Sequence, residues 1–214
     1  YAPLIGLDGI GLLDSYSVWT DNRQGSETQG SAFPALEDEA DFYGVDRKRL
    51  AALNLLMEAC GLIVIGTIKG KRQVTRERQG KQETYWQPVE KQTYTIVHKD
   101  DYALTTEIVM RAVKLALQKQ ESVYPVIRHI FLPTFKPIER ARDGDTRNPW
   151  YDILPQVRQM PEWKILAAKS AAKEARGRSR AMQGHATRQA ASLTDQSAAP
   201  LSAEEPTSVH QTNT

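Results

Sequence analysis

The chain has 214 residues, a single cysteine, 28 Lys/Arg against 26 Asp/Glu and a formal net charge of +2. That is length for one domain with appendages or two small ones, and it excludes an intramolecular disulfide. Its longest apolar runs, such as Leu62 to Ile65, are far too short to cross a membrane, and no signal peptide is visible, so a cytoplasmic protein with no membrane partner is expected.

Tyr1 is not an initiator Met, which leaves room for preceding sequence. The small overall charge conceals an asymmetry: residues 1–60 hold 4 Lys/Arg and 10 Asp/Glu, whereas 61–99 hold 8 and 3. An acidic first lobe followed by a basic one predicts that a polyanion meets the second. The bland alternative is a dipolar protein whose charges serve solubility alone.

In chain order, Ile10, Leu13 and Tyr16, with Leu12 and Trp19, recur at spacings of three and four and predict a helix from about Asp8 to Thr20. Residues 21–32 are polar, contain Gly and lack a period, which reads as a loop. Pro34 fits the entry to a second helix over Leu36 to Tyr43. Gly44 can take the left-handed conformation that ends it, and Asp46 offers a cap to a third helix over Asp46 to Ala59. There Leu50, Leu53, Leu56 and Met57 form one apolar face. Cys60-Gly61 stops the helix, and the period then changes from helical to extended. Leu62 to Ile68 and Thr93 to His98 read as strands, with Thr84-Tyr85-Trp86 adding to an edge. Between them a basic run carries Lys69, Lys71, Arg72, Arg76, Arg78 and Lys81 against one acid, Glu77.

Helix, Gly turn, helix, Gly stop, strand and basic loop follow the order of a winged helix-turn-helix. The residues Phe33-Pro34, Ala40, Gly44-Val45, Arg47-Lys48, Leu50, Leu53 and Gly61-Leu62-Ile63 resemble the pattern of such modules in bacterial and phage regulators and replication proteins. Tyr1-Ala2-Pro3-Leu4-Ile5-Gly6 is similar to their opening, including that of DnaD-type helicase loaders. The resemblance covers roughly residues 1–98 and implies an α+β, mostly α fold with a long basic β-wing. It also implies a recognition helix whose Arg47, Lys48 and Arg49 approach the major groove of double-stranded DNA. The wing cations would meet phosphates. Glu37-Asp38-Glu39 departs from the family, with Glu39 standing where an apolar residue is usual. Asn54 either supplies an adenine contact or sits inward.

Beyond residue 98, Asp100-Asp101 is expected to cap a helix over about Leu104 to Gln120. It either returns to the body or pairs with a second copy in a homodimer. Five prolines, with Pro161 just beyond, break residues 122–160 into pieces too apolar for a linker, expected to wrap over the core. Pro161 and Glu162 open an Ala-rich helix to about Arg176. The division expected is thus a winged module over 1–98, a helical extension for packing or dimerisation over 99–176, and a disordered tail over 177–214 whose first part is basic.

The four histidines are scattered, the single Cys gives no zinc spacing, and no P-loop is present, so a non-enzyme without cofactor or metal is expected. Two functions remain. One is duplex DNA binding as a transcription regulator or a plasmid- or phage-type replication initiator. The other is protein–protein assembly with replication proteins, as in a helicase loader, with the acidic second helix as docking face.

Overall fold

The computed structural model describes residues 1–34, 36–78, 81–98, 102–137 and 148–197, with the side chains of 78, 81 and 184–197 left aside. The fold is α+β: among the described residues seven α-helices accompany one two-stranded antiparallel sheet.

The first helix, α1 (Ala2–Trp19), begins six residues earlier than the apolar spacing predicts, because Pro3 suits a first turn. Gly6, at φ 68°, then kinks the chain before the regular part. The buried side of α1 is Leu4, Ile5, Gly9, Leu12 and Tyr16. The polar loop that follows is organised by Asp21, whose carboxylate accepts from Arg23, Ser26 and Thr28 at 2.6–3.0 Å. The Arg23 guanidinium, followed by the Thr28 hydroxyl, holds that carboxyl well below its ordinary pKa.

The second helix, α2 (Leu36–Tyr43), and the third, α3 (Arg47–Ala59), fall where the sequence places them. Gly44 takes φ 62°, and the N–H of Val45 reaches back to the Ala40 carbonyl at 3.0 Å, the hydrogen bond that closes a left-handed helix end. Asp46 caps α3 by accepting from the Lys48 and Arg49 N–H groups at 2.8 and 3.1 Å. The same ending recurs after α3, with Gly61 at φ 68° and Leu62 N–H on the Met57 carbonyl at 2.9 Å. Leu50, Leu53, Leu56 and Met57 are buried as expected, and so is Asn54.

Two strands, β1 (Ile63–Arg78) and β2 (Lys81–Ile96), form one hairpin of 16 residues a side. The basic run expected as a loop is strand over Lys69 to Arg78, and Thr84-Tyr85-Trp86 lies inside β2. At the base, Ile63, Ile65, Tyr94 and Ile96 join the core. Ala32 extends the base by exchanging backbone hydrogen bonds with Tyr94 at 2.8 and 2.7 Å. From Val64 to Gln92, by contrast, no described residue is buried.

The fourth helix, α4 (Thr106–Gln118), is capped by Thr105, whose hydroxyl accepts from the Ile108 N–H at 3.3 Å. The expected cap at Asp100-Asp101 lies outside the described residues. The proline-broken stretch holds α5 (Val123–Ile127), a 3₁₀ turn (Arg128–Phe131) and α6 (Trp150–Val157). Because α5 packs against both α1 and α3, residues 1–98 share one hydrophobic core with residues 104–166. By compactness the chain falls into two units, Tyr1–Ser170 and Ala171–Thr214.

The last helix, α7 (Pro161–Ser197), anchors its start through buried Trp163, Leu166 and Ser170. It runs to Ser197, past the end near Arg176 that the sequence predicts for it. Ala-rich sequence favours helix without any apolar stripe to announce it. The second unit, from Ala171, buries none of its described side chains, and residues 198–214 lie outside the description. No helix among the described residues is long and apolar enough to cross a membrane.

Candidate nucleic-acid interface

The nine cations expected to meet DNA divide between the start of α3 and the hairpin. Arg47, Lys48 and Arg49 all lie exposed in the first turn of α3. Two of them already have acidic partners. Arg47 is ion-paired with Glu37 of α2, and Arg49 donates to Asp8 of α1 at 2.6 and 3.0 Å. Both pairs are solvent-exposed, so each contributes only ~0–1 kcal/mol of stability. Their larger consequence is local neutrality where a phosphate would arrive. Lys48 has no ion-pair partner among the described residues.

The acidic start of α2 thus has two distinct uses. Glu37 holds Arg47, while Glu39 turns inward and is 1 % exposed. It sits in the core, and no salt bridge joins it to a cation among the described residues. The Tyr16 hydroxyl lies 3.4 Å from Glu39 Oε2 and donates to Asn54 Oδ1 at 2.8 Å. Tyr16 also stacks on Tyr94 of β2 at 4.8 Å. Burial pushes the Glu39 carboxyl up to about 7, against a smaller lowering by the Tyr16 hydrogen bond. Asn54, held inward by this cluster, is not available to an adenine.

Side chains alternate across a strand, so the register of the hairpin assigns each cation to a face. Ile63, Ile65, Tyr94 and Ile96 define the core-side face. Further out, that face carries Lys69 opposite Glu90, Lys71 opposite Pro88, and Glu77 opposite Gln82. Its charges cancel. The outer face carries Lys91 opposite Ile68, Arg72 opposite Gln87, and Arg76 opposite Glu83. Three cations there meet one carboxylate. Arg78 and Lys81 are paired positions at the far end of the ladder, and their side chains lie outside the description.

The basic run therefore splits, with Lys69 and Lys71 on one face and Arg72 and Arg76 on the other. Lys91 joins the second pair, although its distance from the run in sequence conceals it. A cleft of about 450 Å³ between the start of α3 and β2 is lined by both Arg47 and Lys91, with Phe33, Pro34 and Glu90. The cleft brings one cation from each group together. Among the described residues no three His, Cys, Asp or Glu are grouped to hold a metal.

No protein-family model, curated protein or solved structure matches the chain.

Proposed function

We propose that the chain is a duplex DNA-binding protein of the winged helix-turn-helix type, acting as a transcription regulator or a plasmid- or phage-type replication initiator. In this reading the outer face of the hairpin supplies most of the affinity. The observation that carries it is the sorting of charge by the strand pleat, which puts Arg72, Arg76 and Lys91 on one solvent-facing side. A two-stranded ribbon fits a major groove as a helix does, and 16-residue strands extend roughly 50 Å. A hairpin with neither face packed is marginal by itself in water, and a polyanion along the cationic face would stabilise it.

The start of α3 has the smaller share. Arg47 and Arg49 must exchange carboxylates for phosphates before they contribute, so base reading rests first on Lys48. Affinity is then mostly electrostatic and falls with salt, and sequence preference is modest. Titration of a random-sequence duplex over a salt series tests this. Micromolar-range, steeply salt-dependent binding supports it, and no binding at low salt overturns it.

A second reading, protein–protein assembly, is favoured by a groove of about 260 Å³ whose lining includes Leu12, Tyr43, Val45, Leu50 and Leu53. Leu7 of α1 and Phe42 of α2 are also strongly exposed, at 81 % and 73 %. If the protein docks replication proteins there and nowhere touches DNA, Phe42→Ala abolishes assembly and the hairpin variants are silent.

A further inference from the structure

Two large aromatic side chains stand exposed side by side on the solvated part of β2, Tyr85 at 44 % and Trp86 at 63 %. The pleat sends them to opposite faces. Trp86 pairs with Gln73 on the core-side face, whose charges cancel. Tyr85 pairs with Val74 on the outer face, between the levels of Arg72 and Arg76. Each arginine is a diagonal cross-strand neighbour of Tyr85, roughly 7–8 Å away. Among the described residues Tyr85 has no aromatic partner, whereas Trp19, Phe42 and Tyr43 cluster with one another.

A ring flanked on both sides by guanidinium groups has more than one chemical use, and the two faces of DNA bases decide between them. In a duplex the base faces are covered by their neighbours, so Tyr85 could meet only edges and backbone. In an unpaired strand each base offers an open face to stack on, and the phosphates on either side remain free for cations. Arg72 and Arg76 lie four residues apart on β1, roughly 13 Å along the strand, which leaves room for a base between the phosphates they would hold.

We propose that the outer face of the hairpin is also a binding site for single-stranded DNA, with Tyr85 stacking on a base and Arg72 and Arg76 holding the flanking phosphates. The inference rests on the nucleic-acid reading above and adds the class of strand that the face takes. It suits a protein that must hold a melted segment beside a duplex. Trp86 provides an internal comparison, because it is the larger and more exposed ring but lacks the paired arginines.

The test compares a short oligothymidylate with a duplex of equal length at one salt concentration, for the full chain and its variants. Tyr85→Val keeps a β-branched partner for Val74 and removes the ring. It should weaken oligothymidylate binding roughly 5- to 150-fold, the range seen when one stacked base is lost, and lower duplex binding by much less. Tyr85→Trp should restore the single-strand affinity, and Trp86→Val should alter neither. Equal losses on both DNAs for Tyr85→Val would mean that the ring only props the ribbon, which overturns the proposal. Duplex binding without any oligothymidylate binding overturns it too and leaves the duplex reading standing. Absence of binding to either DNA removes both.

Discussion

Arg49 in the first turn of α3 donates two hydrogen bonds to a single oxygen, Oδ2 of Asp8 on α1, at 2.6 and 3.0 Å. The pair ties two helices through residues 41 apart in sequence and neutralises one of the three cations at the start of α3. Replacing Asp8 by Asn should release Arg49 toward phosphate. Duplex affinity should rise by a few-fold at low salt, with the gain fading as salt screens it. Stability should change by no more than ~1 kcal/mol, because the pair is exposed. An Asp8→Asn protein with unchanged DNA affinity would place the start of α3 away from the backbone.

Glu39 makes folding sensitive to pH in a defined direction. Its carboxyl is raised to about 7 from an ordinary 4.5, by burial first, so the native state holds a proton that the unfolded chain releases earlier. Stability from this group is full below about 4.5, declines as pH rises through about 7, and is flat above that. Denaturant midpoints at pH 5 and pH 8 should show the loss, and Glu39→Gln should remove that component and exceed the parent in stability at pH 8. A Gln variant that is less stable than the parent at pH 8 would mean that the carboxylate is satisfied in the fold.

Gly44 ends α2 at φ 62°, and a Cβ built there would touch nothing within 4 Å. Gly44→Ala therefore isolates the backbone term, and a loss of ~1–2 kcal/mol is expected from the left-handed conformation alone. Equilibrium unfolding would reveal it, and a neutral outcome would mean that the turn relaxes to another geometry.

The second unit buries none of its described side chains, and the buried hydrophobic core ends at Leu166 of the first, so truncation after Ser170 leaves that core complete. The cooperative melt of the truncated protein should match that of the whole chain. A broadened or lost transition would show that residues beyond Ala171 support the core.

Elements with chemical punctuation are legible in the sequence. The Gly44 stop, the Asp46 cap and the Leu50-Leu53-Leu56-Met57 face delimit α2 and α3 almost to the residue. The hairpin is legible at its base, where Ile63 and Tyr94 are buried, and again at Thr84-Tyr85-Trp86 within β2. Its outer part has no core-facing side, so no alternation of apolar residues marks it, and only backbone pairing makes it strand. Residues 177–183 likewise bury no side chain, so no apolar period announces the helix there. In the proline-broken region, Pro149 precedes α6 and Pro155 sits within it, so prolines that suggest interruption partly serve as helix starts. Of the candidate site, the identities of the cations are readable and their grouping is not. Register separates Arg72 from Lys71, its neighbour in sequence, and joins it to Lys91 across the hairpin. The partners of Arg47 and Arg49 are likewise long-range and leave no local signal.

The most direct measurement is the salt dependence of duplex affinity for two double variants of equal formal charge, Arg72→Ala with Arg76→Ala and Lys69→Ala with Lys71→Ala. Each lost phosphate contact lowers the slope of log affinity against log salt by about 0.9. The outer-face pair should therefore lose close to 1.8 and much of its affinity on every sequence, while the core-side pair should lose little of either. Equal losses for the two variants would show that the run acts as an undivided cationic cloud, and unchanged affinity in the outer-face variant would show that DNA does not meet the hairpin.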